Sequence, residues 1–112
     1  MQPSELKNLD VSRTIFIDTR SLGYYLISHV ADAIHVESPV RIGYIAEENP
    51  DKTIALYCHT GAGATEIAKG LRERGLHNVY AIEANFFHLQ KLGLPIVGEG
   101  VSQKETIGAR NG

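Results

Sequence analysis

The feature that most constrains this chain is the run Thr53-Ile54-Ala55-Leu56-Tyr57, which leads straight into Cys58 and then into His59-Thr60-Gly61-Ala62-Gly63. Five β-branched, apolar and aromatic residues in a row read as a buried strand. From Ala64 to Arg74 the spacing predicts a helix, with Ala64, Ile67, Ala68 and Leu71 on one face. Glu66, Lys69, Arg72 and Glu73 lie mostly on the other, where Glu66–Lys69 and Lys69–Glu73 stand at helical spacings. Gly75 followed by Leu76 is a helix stop, glycine taking the left-handed position and leucine folding back.

The rest of the chain repeats this alternation. Ser4 to Leu9 predicts a short helix or turn capped by Ser4, and Thr14 to Ile17 a strand that Asp18 ends. Leu22 to Ser28 is weakly helical, and Ala33 to Val36 is briefly extended. Pro39 to Glu48 predicts a helix that stops at Asn49-Pro50, because a residue before proline avoids the α region. Val79 to Ile82 reads as a strand and Phe86 to Leu92 as a short helix closed by Gly93-Leu94-Pro95. Strands alternating with helices predict an α/β domain with a largely parallel central sheet and helices on both faces. We expect one domain over residues 1–97 and a flexible tail over residues 98–112, which lacks apolar surface to offset its ordering.

Charge and cysteine usage narrow the function. With 11 Lys and Arg against 13 Asp and Glu, the net charge is −2, which gives no footprint for nucleic acid or an anionic membrane. No apolar run approaches the ~20 residues of a membrane span, and the N-terminus carries no export signal. A single cysteine excludes an internal disulfide and any zinc site built from paired cysteines. The expected setting is the reducing cytoplasm.

The chemistry lies in strand, cysteine, loop and helix. In parallel sheets ligands sit at the carboxyl ends of strands, where Cys58 falls. Backbone N–H groups of the loop and the positive end of the helix stabilise an anion at the sulfur. Gly61 and Gly63 permit the positive φ of a curled cradle, and small side chains at Thr60, Ala62 and Ala64 leave its mouth open. The bland alternative is a packed thiol at a tight βα turn. No Gly-Lys-Ser/Thr follows the glycines, so the loop is not a P-loop.

Four ordered blocks resemble the single-domain rhodaneses. Phe16-Ile17-Asp18-Thr19-Arg20 is similar to the family's Asp-x-Arg motif, and Ser28 to Val36 to its Gly-His-Ile-Pro-Gly-Ala block. Leu56-Tyr57-Cys58-His59-Thr60-Gly61 resembles the strand and active loop. Gly75-Leu76 through Glu83, followed by Leu92-Gly93-Leu94-Pro95, is similar to the closing blocks. The resemblance implies a rhodanese-like fold and a sulfurtransferase. It would move sulfane sulfur from a small donor (thiosulfate, a polysulfide or persulfide, or mercaptopyruvate) through a Cys58 persulfide. The acceptor would be cyanide or a thiol, including one on a protein sulfur-relay partner. Cys58 is the implied nucleophile, and His59, Thr60, Gly61, Ala62, Gly63 and Ala64 form the implied persulfide-binding loop. No metal or organic cofactor is implied.

The chain departs from the family in places. Where many members carry arginine five positions after the cysteine, this chain has Gly63, which removes a charge-assisted partner for a sulfonate. The family's Glu-Gly-Gly reads Glu83-Ala84-Asn85, and Phe87-His88-Leu89 replaces its tryptophan. Ala64 and Thr65 stand where related phosphatases place arginine. Arg20 and Arg41 are the candidate supporting cations, although Asp18 and Arg20 fit a structural pair better. His29 corresponds to a scaffold histidine, His59 is the candidate functional one, and His35 and His88 join no visible constellation. Tyr24, Tyr44, Phe86 and Phe87 are candidates for a pocket rim, though core positions suit them better. The competing reading is a catalytically inactive rhodanese-like binding or regulatory domain.

Overall fold

The computed structural model of the protein describes residues 1–101; residues 102–112 of the expected tail lie outside it. The chain opens with a 3₁₀ segment, Pro3–Asn8. Pro3 holds its first position, where a missing N–H costs nothing. Ser4 therefore lies inside the turn, not at its cap, and the Glu5 carboxylate accepts the Gln2 N–H at 2.7 Å. A second 3₁₀ turn, Val11–Arg13, leads into β1 (Thr14–Asp18). There follow α1 (Leu22–Ile27), β2 (His29–Val30), β3 (Ile34–His35) and α2 (Pro39–Glu48). Then come β4 (Thr53–Tyr57), α3 (Ala62–Glu73), β5 (Val79–Ala81) and β6 (Ile96–Val97).

Four strands form one sheet in the order β3-β1-β4-β5. All its pairings are parallel, with Ile17 opposite Leu56 and Leu56 opposite Ala81. Side chains alternate across a strand, and β4 uses both faces. Ile54 and Leu56 enter a core with Ile42 and Ala46 of α2 and Ala64, Ala68 and Leu71 of α3. Ala55 and Tyr57 enter a second core with Leu6, Phe16, Val30, Phe86 and Leu89. The sheet is thus flanked on both faces, by α2 and α3 on one side. On the other the helical cover is 3₁₀, from Pro3–Asn8 and Phe86–His88. Burial on both faces explains why β4 reads as a continuous apolar run.

The bounds of α2 and β4 match the sequence reading. Helix α3 starts at Ala62, two residues earlier than expected, because Gly61 turns at φ +95° and the Gly61 carbonyl accepts the Thr65 N–H at 2.9 Å. The helix expected over Phe86 to Leu92 is a three-residue 3₁₀ turn. There His88 and Leu89 donate to the carbonyls three residues back, and Leu89 is fully buried. The antiparallel pair β2–β6, with His29 opposite Val97, was not expected. Two-residue strands carry no readable periodicity. Beyond β6, Glu99 and Gly100 donate to the carbonyls of Leu26 and Ile27 at 2.9 and 2.7 Å, so residues 98–101 lie on the end of α1.

Tyr57 is fully buried and its hydroxyl accepts the Val30 N–H at 2.9 Å. Burial, and then the neighbouring Asp18 carboxylate, push the phenol well above its ordinary value. In the unfolded chain it ionises near 10, so its contribution is complete below that pH. Above it the unfolded state binds fewer protons and stability falls, by up to ~1.4 kcal/mol per pH unit. Urea midpoints measured from pH 9 to 11 should therefore fall less steeply in Tyr57→Phe than in wild type; parallel slopes refute this assignment.

Candidate active site

Strand β4 delivers Cys58 to the carboxyl edge of the sheet. Thr19, just past β1, donates both its N–H and its hydroxyl to the Tyr57 carbonyl, at 3.0 and 3.1 Å, and so fixes the strand end. The chain then curls around the sulfur. Cys58 Sγ accepts the Gly61 N–H at 3.1 Å and the Ala64 N–H at 3.4 Å. Thr65 Oγ1 donates to the Gly61 carbonyl at 2.7 Å, and Thr60 Oγ1 accepts the Ala62 N–H at 3.3 Å. Two donors on one sulfur, at the N-terminus of a twelve-residue helix, favour negative charge there.

Gly61 is required twice over. Its φ is left-handed, and a Cβ there would lie 3.2 Å from both the Ala84 nitrogen and the Ile82 oxygen. Gly63, expected to take positive φ as well, does not: it lies in the first turn of α3, and a Cβ there would meet only Cys58 Sγ, at 3.8 Å, which is ordinary contact. The position that lacks the family's cation therefore faces the sulfur.

The remaining candidates divide. Cys58 is half-buried, Gly61 and Ala64 are buried, and His59, Thr60, Ala62 and Gly63 are exposed. Arg20 is buried and paired with Asp18, Nη2 to Oδ2 at 2.7 Å and Nε to Oδ1 at 3.0 Å. It also donates to the Ser28 carbonyl and lies 3.8 Å over the Phe86 ring. Arg41 is exposed on the first turn of α2 and joins no ion pair among the described residues.

His29 Nδ1 meets the Tyr25 carbonyl at 2.6 Å and its ring stacks on Tyr25. His35 has partners that spacing did not reveal, the Arg20 carbonyl at 2.7 Å and Glu37 at 3.1 Å. Of the aromatic candidates Phe86 is core, whereas Tyr24, Tyr44 and Phe87 are exposed. Two of these rim candidates, Tyr24 and Phe86, prove to be neighbours of the loop through His59. Tyr24 meets the His59 ring edge-on at 4.5 Å, and Phe86 donates its N–H to the His59 carbonyl at 2.9 Å. Contacts between segments more than twenty residues apart leave no local signal. Among the described residues no three His, Cys, Asp or Glu side chains converge as a metal site.

The structure is a parallel α/β domain with one cysteine cradled by backbone N–H groups between a strand and a helix. The chain belongs to the rhodanese-like domain family, whose model matches residues 2–91. It is similar to the thiosulfate sulfurtransferase GlpE of Pseudomonas syringae, 23% identical over 84 residues, covering 75% of this chain and 79% of that protein. It is also 28% identical to a tRNA uridine(34) hydroxylase of Photorhabdus laumondii over 91% of this chain, but spans only 32% of that protein's length. The fold matches the solution structure of protein hp1203 from Helicobacter pylori, at TM-score 0.73, 24% identity and 93% coverage of both chains. A rhodanese-related protein of Thermoplasma volcanium matches at TM-score 0.65 and 20% identity, covering 88% of this chain and 97% of that one.

Gly61→Ala tests the cradle. A left-handed non-glycine residue costs about 1–2 kcal/mol, and the crowded Cβ must also displace the Ile82–Ala84 backbone. A clear drop in melting temperature is expected, together with slower alkylation of Cys58 by iodoacetamide. Wild-type values for both would show that the loop does not need this geometry.

Proposed function

We propose that this domain is a sulfurtransferase that carries sulfane sulfur on Cys58. The thiolate attacks the donor's transferable sulfur; in thiosulfate, a persulfide or a polysulfide the S–S bond breaks, in 3-mercaptopyruvate the C–S bond breaks, and the sulfite, thiolate, shortened polysulfide or pyruvate enolate departs with the electron pair. The resulting persulfide passes its outer sulfur to cyanide or a thiol, small or protein-borne. The observation that supports this most is the pair of N–H groups on Cys58 Sγ, held by backbone alone. The residues from His59 to Ala64 would cradle the persulfide, and Arg20 would act as a buried anchor. The reducing cytoplasm suits a free thiol of this kind. No helix among the described residues is long and apolar enough to cross a membrane.

The relatives named as hydroxylases share this domain over about a third of their length, so that activity concerns a longer protein and sulfur transfer is the narrower reading. An inactive binding domain is the second reading, favoured by the absence of a loop cation at Gly63. Intact mass spectrometry after brief exposure to thiosulfate, 3-mercaptopyruvate or polysulfide separates the two. A cyanide-removable gain of one sulfur is expected in wild type and not in Cys58→Ser. No adduct from any donor on folded protein would favour the binding domain.

Gly63→Arg probes donor choice. The site has room for a Cβ, and a charge-assisted bond of ~1.5–3 kcal/mol should lower KM for thiosulfate roughly tenfold or more. An unchanged KM would mean that the missing cation is not limiting.

A further inference from the structure

Helices α2 and α3 lie side by side on one face of the sheet, so close that a Cβ on Gly43 would stand 3.4 Å from Leu71 Cδ2. Their outer surface holds a groove of about 320 Å³ lined by Pro39 of α2 and by Glu66, Ile67, Gly70, Leu71 and Arg74. Glu66, Gly70 and Arg74 follow one another at intervals of four, which puts them in a row along one side of α3 and its C-cap. The row reads acid, glycine, base. Gly70 is exposed, and a Cβ on it would meet nothing within 4 Å. Glu66 and Arg74 are exposed as well, and neither joins an ion pair among the described residues. Beside Arg74 a smaller cavity brings in Val40 and Tyr44 of α2, which are 58% and 60% exposed. Glu47 also lines that cavity but makes no ion pair with Arg74.

We propose that this face is the contact between two copies of the chain, with the α3 helices antiparallel and a two-fold axis at Gly70. A two-fold turns the row end for end. Glu66 then faces Arg74 of the partner subunit, Arg74 faces Glu66 of the partner subunit, and glycine faces glycine. The two charges lie equally far from Gly70, each about 6 Å along the helix at 1.5 Å per residue. A second copy therefore matches both charges by symmetry alone, which an unrelated partner would match only by coincidence. Glycine at the axis lets the two backbones approach closely. Ile67, Val40 and Tyr44 supply apolar surface around it. With so few large side chains the contact is small and belongs to the transient class. The inference stands apart from the sulfur-transfer reading, since it uses none of the Cys58 loop.

Sedimentation of the full chain from about 10 μM to 1 mM tests it. Wild type should move from monomer towards dimer as concentration rises. Glu66→Arg and Arg74→Glu, each alone, set like charges against each other at both pairs and should weaken the dimer roughly tenfold or more. Mixed in equal amounts, the two variants regain opposite charges at both pairs, so the mixture should dimerise again. Gly70→Tyr should weaken the dimer while its melting temperature stays level or rises, because glycine is a poor helix former. That variant keeps the test decisive should either charge reversal fail to fold. A wild type that stays monomeric throughout overturns the proposal. So does a dimer that survives the reversals or Gly70→Tyr, or a mixture of folded variants that does not reassociate.

Discussion

The carboxyl end of the sheet depends on a buried ion pair. The Asp18 carboxylate is fully buried and Arg20 is 5% exposed, so desolvation costs several kcal/mol for each charge. The pair persists because its charges are met by several partners. Asp18 Oδ1 also accepts the Arg20 N–H at 2.9 Å, the guanidinium reaches the Tyr24 and Ser28 carbonyls, and its flat face rests on Phe86. Two residues of β1 and its exit thereby anchor the middle and the C-terminal end of α1 and the segment that follows β5. Phe86 in turn holds the His59 carbonyl. A cation that never touches the sulfur thus bounds the loop that surrounds it.

At Cys58 the protein works through backbone geometry. Strand β4 is rigid because both its faces are buried, and Gly61 turns the chain tightly enough for two N–H groups to point back at Sγ. No charged side chain is needed for that cradle. Two N–H groups on one sulfur favour negative charge there.

Much of this was legible in the sequence, for identifiable reasons. Strand β4 and helix α2 were read to their ends because apolar runs, a proline at the first helical turn and Asn49-Pro50 are strong local signals. The cysteine's place at a strand end followed from β4, and the expectation of positive φ at Gly61 and Gly63, drawn from the curled loop, held at Gly61 alone because Gly63 is already helical. The 3₁₀ character of Phe86–His88 was not legible. A three-residue turn and a short helix share the same apolar spacing, and burial of Leu89 decided between them. Strands β2 and β6 were invisible because each has two residues and finds its partner across more than sixty positions.

The sequence by itself determined the α/β alternation, the cysteine at the end of a buried strand and the missing loop cation, since each is written in neighbouring residues. The Asp18–Arg20 pair was legible as structural; only the tertiary structure decided that it is buried against Phe86, that His35 has partners and that Tyr24 and Phe86 abut the loop. These outcomes come from long-range packing of segments that share no local pattern, and which surfaces meet is set by how two cores close around one sheet.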